Sequence, residues 1–184
     1  ASCEGPFLLG GGNDAPGEGY DVTSDGGLIV GDTFLDGEEW FYSRAMFYTE
    51  DTGMISMGTL GDNEFHRSIA TLCSNDGKIV GVSGEPPPWG QWDVFMWTAE
   101  EGMMQLKQLC LDAGVDLPEG FADNFLIGAL TMSSDGSTLY VQWQDFNWNQ
   151  GAYKISFEST VAIDPNEQPA DTTPKAVSLS QNFP

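Results

Sequence analysis

The residues best suited to nucleophilic, acid–base or zinc chemistry are few in this chain. It has one histidine, His66, and three cysteines, Cys3, Cys73 and Cys110. A structural zinc site needs four ligands with close local pairs, and the sequence has neither a CxxC pair nor a Cys/His cluster. His66 follows Asn63-Glu64-Phe65 without a nucleophile motif, which favours a solvated loop histidine over a catalytic one.

The cysteines allow two interpretations. Cys73 lies in a predicted strand and is expected to be a small buried apolar group. In an exported chain one disulfide could form, and because there are three cysteines at least one would stay unpaired.

Carboxylates are abundant, with 28 Asp or Glu against 6 Lys or Arg and a formal net charge of −22. Paired carboxylates could support glycoside hydrolysis. At this abundance some pairing is inevitable, and none of the pairs lies in a distinctive motif. The P-loop, GxSxG, HExxH and dinucleotide-binding motifs are absent. We therefore expect a protein that is not an enzyme.

Three aspartates, Asp25, Asp76 and Asp135, recur beside glycine at predicted turns. Calcium takes about six to eight oxygen ligands, and the acidic turns could supply some of them. EF-hand spacing is absent, and turn formation alone is a sufficient reason for an Asp-Gly pair. We expect no cofactor, with calcium at these three aspartates as the alternative.

Tryptophans lie in three predicted loops, and they are the candidate ligand-binding residues: Trp40, Trp89, Trp92 and Trp148. Indole rings beside Asp, Asn and Gln suit sugars, which offer apolar faces and hydroxyl rims. Packing of each tryptophan on a neighbouring structural unit is the alternative. The Pro-rich segment 85–90 is stiff and is the best single candidate for a recognition loop.

The elements that would position these residues repeat along the chain. Three segments share a strand, an Asp-Gly turn and a second strand: 20–31, 69–81 and 129–141. Asp-Gly between two β-rich runs is a strong hairpin signal, because the tight turn needs positive φ. A further hairpin is predicted after each of these: 44–57, 93–106 and, in a degenerate third copy, 151–157 followed by 160–163.

Four strands per repeat make a small antiparallel sheet that cannot bury both faces alone, so successive sheets are expected to stack face to face. The Asp-Gly pairs are about 50 to 60 residues apart, which is in the range of propeller blades. The predicted fold is all-β: a propeller-like array of about three four-stranded antiparallel blades within residues 1–163. The repeats span about 20–60, 68–107 and 128–163.

Two segments depart from the strand pattern. Residues 104–113 carry apolar side chains at helical spacing before Gly114, which predicts one short helix between the second and third repeats. Residues 164–174 are polar and Pro-rich, which predicts a linker that leads into residues 175–184.

The second hairpins carry a family pattern, in Arg44-Ala45-Met46-Phe47-Tyr48-Thr49 and Asp93-Val94-Phe95-Met96-Trp97-Thr98. Together with the Ser-Asp-Gly turns they resemble the HAF family of probable extracellular repeats, although the His of the family motif is absent from both. Residues 109–117 also resemble an insertion that precedes the last repeat in that family. The resemblance covers about residues 20–160. It implies an exported, propeller-like repeat domain and identifies no catalytic residue to carry over.

The C-terminal stretch Val177-Ser178-Leu179-Ser180-Gln181-Asn182-Phe183-Pro184 resembles the opening of a type IX secretion sorting domain. Such domains commonly begin Leu-Ser-Gln-Asn-Tyr-Pro, and here Phe183 replaces the tyrosine. The resemblance implies export across a bacterial outer membrane, followed by release or surface anchoring. A chance match of this short motif is the alternative.

Composition and charge narrow the class of partner. With 40% hydrophobic and 12% aromatic residues the chain can bury a core. Its net charge would repel phosphate backbones and anionic lipids, so neither nucleic-acid binding nor docking on a membrane is expected. No run of about 18 apolar residues is present, so no membrane insertion is expected.

The chain is also expected to have a structural partner. Phe7-Leu8-Leu9-Gly10 resembles the last strand of a repeat, as in Ile55-Ser56-Met57-Gly58. We therefore expect upstream blades or a second chain to complete the propeller. These features favour a secreted or cell-surface, non-catalytic binding or assembly module. The alternative is a carbohydrate-active protein, either a lectin or a glycoside hydrolase, that uses the aromatic loops.

Overall fold

The computed structural model describes residues 17–34, 43–61, 67–85, 92–114, 125–145, 147–158 and 176–182. These residues form three antiparallel sheets and one short helix. The predicted β-rich architecture is therefore confirmed.

Each sheet is a meander in which strands that follow each other in sequence are also neighbours in space. The first sheet contains β1 (Gly17–Val22), β2 (Ile29–Phe34), β3 (Ser43–Thr49) and β4 (Gly53–Gly58). The second contains β5 (Arg67–Cys73), β6 (Ile79–Gly84), β7 (Trp92–Thr98) and β8 (Gly102–Gln105). The third contains β9 (Phe125–Met132), β10 (Thr138–Gln144), β11 (Gln150–Glu158) and β12 (Ala176–Asn182).

The fourth strand of the third sheet is not the one that the sequence predicts. The pattern favours 160–163, but β12 pairs with β11 from Ala152 to Glu158. In the first two sheets the fourth strand follows a tight turn that ends in a glycine with positive φ, Gly53 or Gly102. No glycine follows Glu158 in the third repeat, so the sequence lacks that turn. Residues 160–163 lie outside the described part of the chain.

The Asp-Gly hairpins form as predicted, with the glycine of each turn at positive φ. The φ values are 76° at Gly26, 86° at Gly77 and 67° at Gly136. In each turn the glycine N–H donates to the carbonyl of the residue three positions earlier: Thr23 at 2.8 Å, Ser74 at 3.0 Å and Ser133 at 2.8 Å. The second turn is one residue shorter, since Ser74 N–H donates to the Lys78 carbonyl, whereas Thr23 N–H donates to Leu28 and Ser133 N–H to Thr138.

The first strand of each sheet also has a β-bulge at the same place. The unpaired residues are Tyr20, Thr71 and Leu130. Because the pairing register is the same on both sides of this bulge, positions can be matched between sheets. The pair Glu18 and Asp32 of the first sheet matches Ile69 and Val82 of the second, and Gly128 and Gln142 of the third.

Two apolar clusters hold the sheets together face to face. The cluster between the first and second sheets contains Val30, Ala45, Ala70, Cys73, Ile79 and Phe95. The cluster between the second and third sheets is larger and includes Val80, Val94, Met96, Leu139, Tyr153 and Ile155. The second sheet therefore supplies one face to each cluster, as the stacking expectation requires.

The predicted helix is α1 (Leu106–Asp112), which begins two residues later than 104 because β8 continues to Gln105. Its Leu106 and Cys110 are fully buried in the cluster between the second and third sheets. The helix therefore has a packing role. In the described residues no helix is long enough to cross a bilayer.

Cys73 and Cys110 are free thiols in the interior, as the sequence suggested for Cys73. Burial raises the pKa of each thiol to about 12. Cys3 lies outside the described residues.

Polar contacts join the Asp-Gly ends of the three sheets in series. The backbone N–H and hydroxyl of Ser24 both donate to Oδ1 of Asn75 at 3.1 Å. The N–H of Asn75 donates in turn to the carbonyl of Ser134 at 2.7 Å. On the first strands, Cys73 N–H donates to Oδ2 of Asp21 at 2.9 Å. These contacts fix the sheets with equivalent turns side by side.

Candidate functional site

Two of the four candidate tryptophans, Trp92 and Trp148, are in the described part of the chain. Trp92 is half-buried at the start of β7, where it pairs with Gly84. Trp148 lies in the loop between β10 and β11 and is 80% exposed. Trp40 and Trp89, like His66, lie outside the described residues. The strongest described candidate for ligand contact is therefore Trp148.

The loop that carries Trp148 is built around the carboxylate of Asp145. Oδ1 of Asp145 accepts from the backbone N–H groups of Asn147 and Asn149, both at 2.8 Å. Oδ2 accepts from the side-chain amide of Asn149 at 2.7 Å. The side-chain bond from Asn149 is the main reason that the pKa of Asp145 lies below its ordinary value. The carboxylate is thus ionised at neutral pH and holds the loop closed.

Trp148 itself has a φ of 66°, the one positive φ of a non-glycine residue in the described ranges. A bulky side chain in this region costs of the order of 1–3 kcal/mol, so the surrounding structure must impose it. The hydrogen bonds to the Asp145 carboxylate impose this backbone conformation. The bond from the Trp148 N–H to the Asp145 carbonyl, at 3.1 Å, adds to them. The indole of Trp148 is therefore exposed to solvent on a backbone of fixed geometry.

The three turn aspartates of the calcium alternative each accept hydrogen bonds within their own turns. Oδ1 of Asp25 accepts from the Thr23 hydroxyl at 2.6 Å and from Gly27 N–H at 2.9 Å. Oδ1 of Asp135 accepts from the Ser133 hydroxyl at 2.6 Å and from Ser137 N–H at 3.0 Å. The hydrogen bond from the Thr23 hydroxyl is the largest cause that lowers the pKa of Asp25. The bond from the Ser133 hydroxyl is likewise the largest cause that lowers the pKa of Asp135, to about 2.

Asp76 also accepts a hydrogen bond within its own turn, from the Ser74 hydroxyl. Its carboxylate forms an ion pair with Lys78 as well. These bonds explain the recurrence of the three aspartates as turn chemistry. Within the ranges that the structure describes, no three His, Cys, Asp or Glu side chains are grouped so that they could hold a metal. Calcium binding at the turns stays a prediction.

A further carboxyl group, Asp32 on β2, was not singled out by the sequence. It is 6% exposed, and among the described residues its Oδ1 has no hydrogen-bond partner. Burial raises the pKa of Asp32 above its ordinary value, and the negative charge of Glu18 adds to the rise. Hydrogen bonds with Ser43 and Tyr20 act in the opposite direction. Asp32 is thus a buried acid beside another acid.

The signal for Asp32 was present in the sequence, but only in the comparison of repeats. Aligning Ile29-Val30-Gly31 with Ile79-Val80-Gly81 places Asp32 opposite Val82, an apolar residue of the second repeat. A single acid among 28 gives no such signal by itself.

No family model, curated protein or solved structure matches the chain. The geometry of these residues is therefore the basis for a function.

Proposed function

We propose that the chain is an exported, non-catalytic binding or assembly module that acts at a bacterial cell surface or in the surrounding medium. The observation that carries the proposal is the Trp148 loop, in which an exposed indole is kept at positive φ by the Asp145 network. Large aromatic side chains on a backbone of fixed geometry are typical of recognition surfaces, because little backbone entropy is lost when they bind.

For the whole chain we propose the finer arrangement of a propeller, completed by upstream blades or a second chain. Its support is that successive sheets stack face to face and that equivalent turns lie side by side. Export is proposed on the resemblance of the repeats to HAF proteins and of the C-terminal stretch to a type IX sorting domain.

A carbohydrate ligand is the second candidate function, and the surroundings of Trp148 favour it. The indole is flanked in sequence by Asn147 and Asn149, whose amides can hydrogen-bond sugar hydroxyls while the ring covers an apolar sugar face. The same loop would serve a lectin or a carbohydrate-active enzyme.

A glycan array with purified protein tests these two candidates. If the loop recognises sugars, Trp148→Ala should weaken binding at least about tenfold, because the loss of a central aromatic contact typically costs about 2 kcal/mol. Asp145→Ala should weaken binding as well, since it leaves the indole but removes the hydrogen bonds that hold its loop closed.

The matched control is Tyr140→Ala, which removes a half-buried aromatic side chain from β10 of the same sheet. Binding that falls equally in Tyr140→Ala would contradict a role for the Trp148 loop. Silence of the unmodified protein across all sugars would exclude the carbohydrate candidate and favour a protein partner.

A further inference from the structure

The outer face of the third sheet differs from the matching face of the second at one cross-strand row. In the second sheet the centre of this row is Val82, which packs against the apolar cluster that the second and third sheets share. In the third sheet the matching row is Gly128, Gln142 and Ala152. Neither apolar cluster of the described residues includes it. The row therefore presents one amide between two small residues on a sheet face.

Gly128 is a strand glycine that the described structure does not require. A Cβ at this position would have nothing within 4 Å, and the φ of Gly128 lies outside the left-handed region. A second β-bulge of β9, at Ile127, precedes it, but the bulge at Leu130 in the same strand has no glycine beside it. Glycine weakens a strand, and in a strand interior it often marks a place where a ligand comes close to the backbone.

Amide side chains are concentrated at the end of the sheet that carries the Trp148 loop. Five of the sixteen Asn and Gln residues of the chain lie within 142–150, so this end is specialised for neutral hydrogen bonding. Nε2 of Gln142 donates to Oε1 of Gln150 at 3.1 Å, and Gln144 is the cross-strand partner of Gln150. The bond orients both amides. It leaves Gln142 an acceptor oxygen and Gln150 its N–H donors, which suit hydroxyl groups.

The same region is poor in charge, although the whole chain has a net charge of −22. Residues 125–153 contain no Lys or Arg, and their two acids are Asp135 and Asp145. Asp135 lies in the turn at the opposite end of the sheet, and the Asp145 carboxylate accepts three hydrogen bonds within its own loop. Lys154, on the next row of this face, is one cation against the net charge of the chain. An uncharged ligand therefore fits this face better than an anionic one.

We propose that this face binds the chain of an uncharged polysaccharide, which lies across Gly128 and Gln142 and continues to the Trp148 loop. This ligand class rests on the carbohydrate function proposed above. The apolar faces of sugar rings lie on Gly128 and Ala152 and against the indole, while their hydroxyls bond to the amides. Gln142 and Gln144 are about 7 Å apart along β10, so a ligand that meets both residues and the loop is longer than one sugar ring.

Affinity electrophoresis of the native full chain, in gels that each contain one polysaccharide, tests the ligand class. The neutral probes are hydroxyethyl cellulose, galactomannan and arabinoxylan, and the anionic probes are alginate and polygalacturonate. At constant ionic strength we expect retardation by at least one neutral polymer and by neither anionic one. An oligosaccharide of the retarding polymer should compete for binding, whereas its monosaccharide should not.

Three variants test the position of the site. Gly128→Val fills the open space and should weaken binding at least about tenfold, because the new side chain holds the sugar away from the sheet. Its Tm should not fall, since valine suits a strand better than glycine. Gln142→Ala adds no volume and should weaken binding about three- to tenfold through one lost hydrogen bond. The matched control is Thr131→Val, at an exposed position of the same strand, which should leave binding unchanged.

The outcomes separate this site from the proposed function of the loop. Retardation by either anionic polymer would overturn the uncharged ligand class. Binding that survives in Gly128→Val and Gln142→Ala but is lost in Trp148→Ala would overturn the site on this face and leave the function of the loop intact. An equal loss in Thr131→Val would also overturn the site. Binding that survives in Trp148→Ala as well, or no retardation in any gel, would contradict both proposals.

Discussion

At the scale of single residues, the acids of this chain differ in how the fold shifts their pKa values. Asp25 and Asp135 accept hydrogen bonds in exposed turns, and their pKa values are lowered. Asp32 is buried beside Glu18 and Tyr20, and its pKa is raised. The two groups of acids should therefore give the stability of the protein opposite dependences on pH.

The pH dependence of Asp32→Asn tests this difference in protein kept free of calcium with EGTA. In the unfolded chain Asp32 ionises near its ordinary pKa of about 3.9, while in the folded protein it keeps its proton to higher pH. The contribution of Asp32 to stability is therefore full below the ordinary pKa and is lost as pH rises through the folded pKa. Urea unfolding should show that the free energy of unfolding of Asp32→Asn falls less than that of the unmodified protein from about pH 4 to pH 7.

Asp25→Asn is the control for this measurement, and its effect should have the opposite sign. The lowered pKa of Asp25 adds stability above the ordinary pKa, and this stability is lost as pH falls. Asp25→Asn should therefore lose stability mainly at neutral pH. Parallel profiles for the two variants would contradict a raised pKa of Asp32 in the folded protein.

The turn aspartates could be interpreted from a local sequence pattern, whereas Asp32 differs from its neighbours only when the strands of the repeats are compared. A Ser or Thr two positions before an Asp-Gly pair is a local pattern, and the bonds from Thr23 to Asp25 and from Ser133 to Asp135 follow from it. The burial of Asp32 depends on a second sheet that covers it, which no local pattern encodes.

At the scale of elements, the Asp-Gly turns share a glycine at positive φ but have unequal surroundings. A Cβ at Gly26 would have nothing within 4 Å, while one at Gly136 would lie 2.5 Å from Oδ1 of Asp76 and 2.9 Å from the Ser74 hydroxyl. Asp76 is itself held by Ser74 and Lys78. The third turn therefore packs tightly against the second.

Replacing each glycine by alanine separates backbone strain from this packing. Gly26→Ala should cost about 1–2 kcal/mol, the cost of a non-glycine residue at positive φ. Gly136→Ala carries the same strain and also displaces Asp76, so it should cost about 3 kcal/mol. Equilibrium unfolding in urea measures both variants against the unmodified protein. Equal costs would contradict the tight contact between the second and third turns.

Strand pairing shows where prediction from sequence fails at this scale. The hairpins formed by β1 with β2 and by β5 with β6 are encoded by turns of a few residues, and they were predicted correctly. The pairing of β11 with β12 joins segments separated by 17 residues, from 159 to 175, that the structure does not describe. The short run 160–163 was the nearer choice, but proximity in sequence did not decide the pairing.

At the scale of the whole molecule, the stack of sheets has two different ends. The face of the second sheet that packs on the first carries a cross-strand row of Cys73, Ile79, Trp97 and Met103. The matching row of the first sheet, on its outer face, is also mostly apolar: Val22, Ile29, Tyr48 and Met54. The outer face of the third sheet carries instead the polar residues Thr131, Tyr140 and Lys154.

The difference between the ends follows from what each face covers in a repeat array. An apolar row is useful where another sheet packs on it, and a polar outer face is typical of a repeat at the end of a stack. Val22, in the outer row of the first sheet, is 51% exposed. The first sheet is therefore the end at which the upstream blades or the second chain of the proposed propeller would pack.

Sedimentation of two lysine variants tests whether a second copy packs there. If it does, the unmodified chain should sediment above its monomer mass of 19.9 kDa at high protein concentration. Val22→Lys should shift it to the monomer, because the new charge would be buried in an apolar contact. Thr131→Lys adds the same charge on the first strand of the third sheet, on an exposed position of the polar face, and should leave the mass unchanged. A well-folded monomer across a hundredfold range of concentration would contradict the second copy.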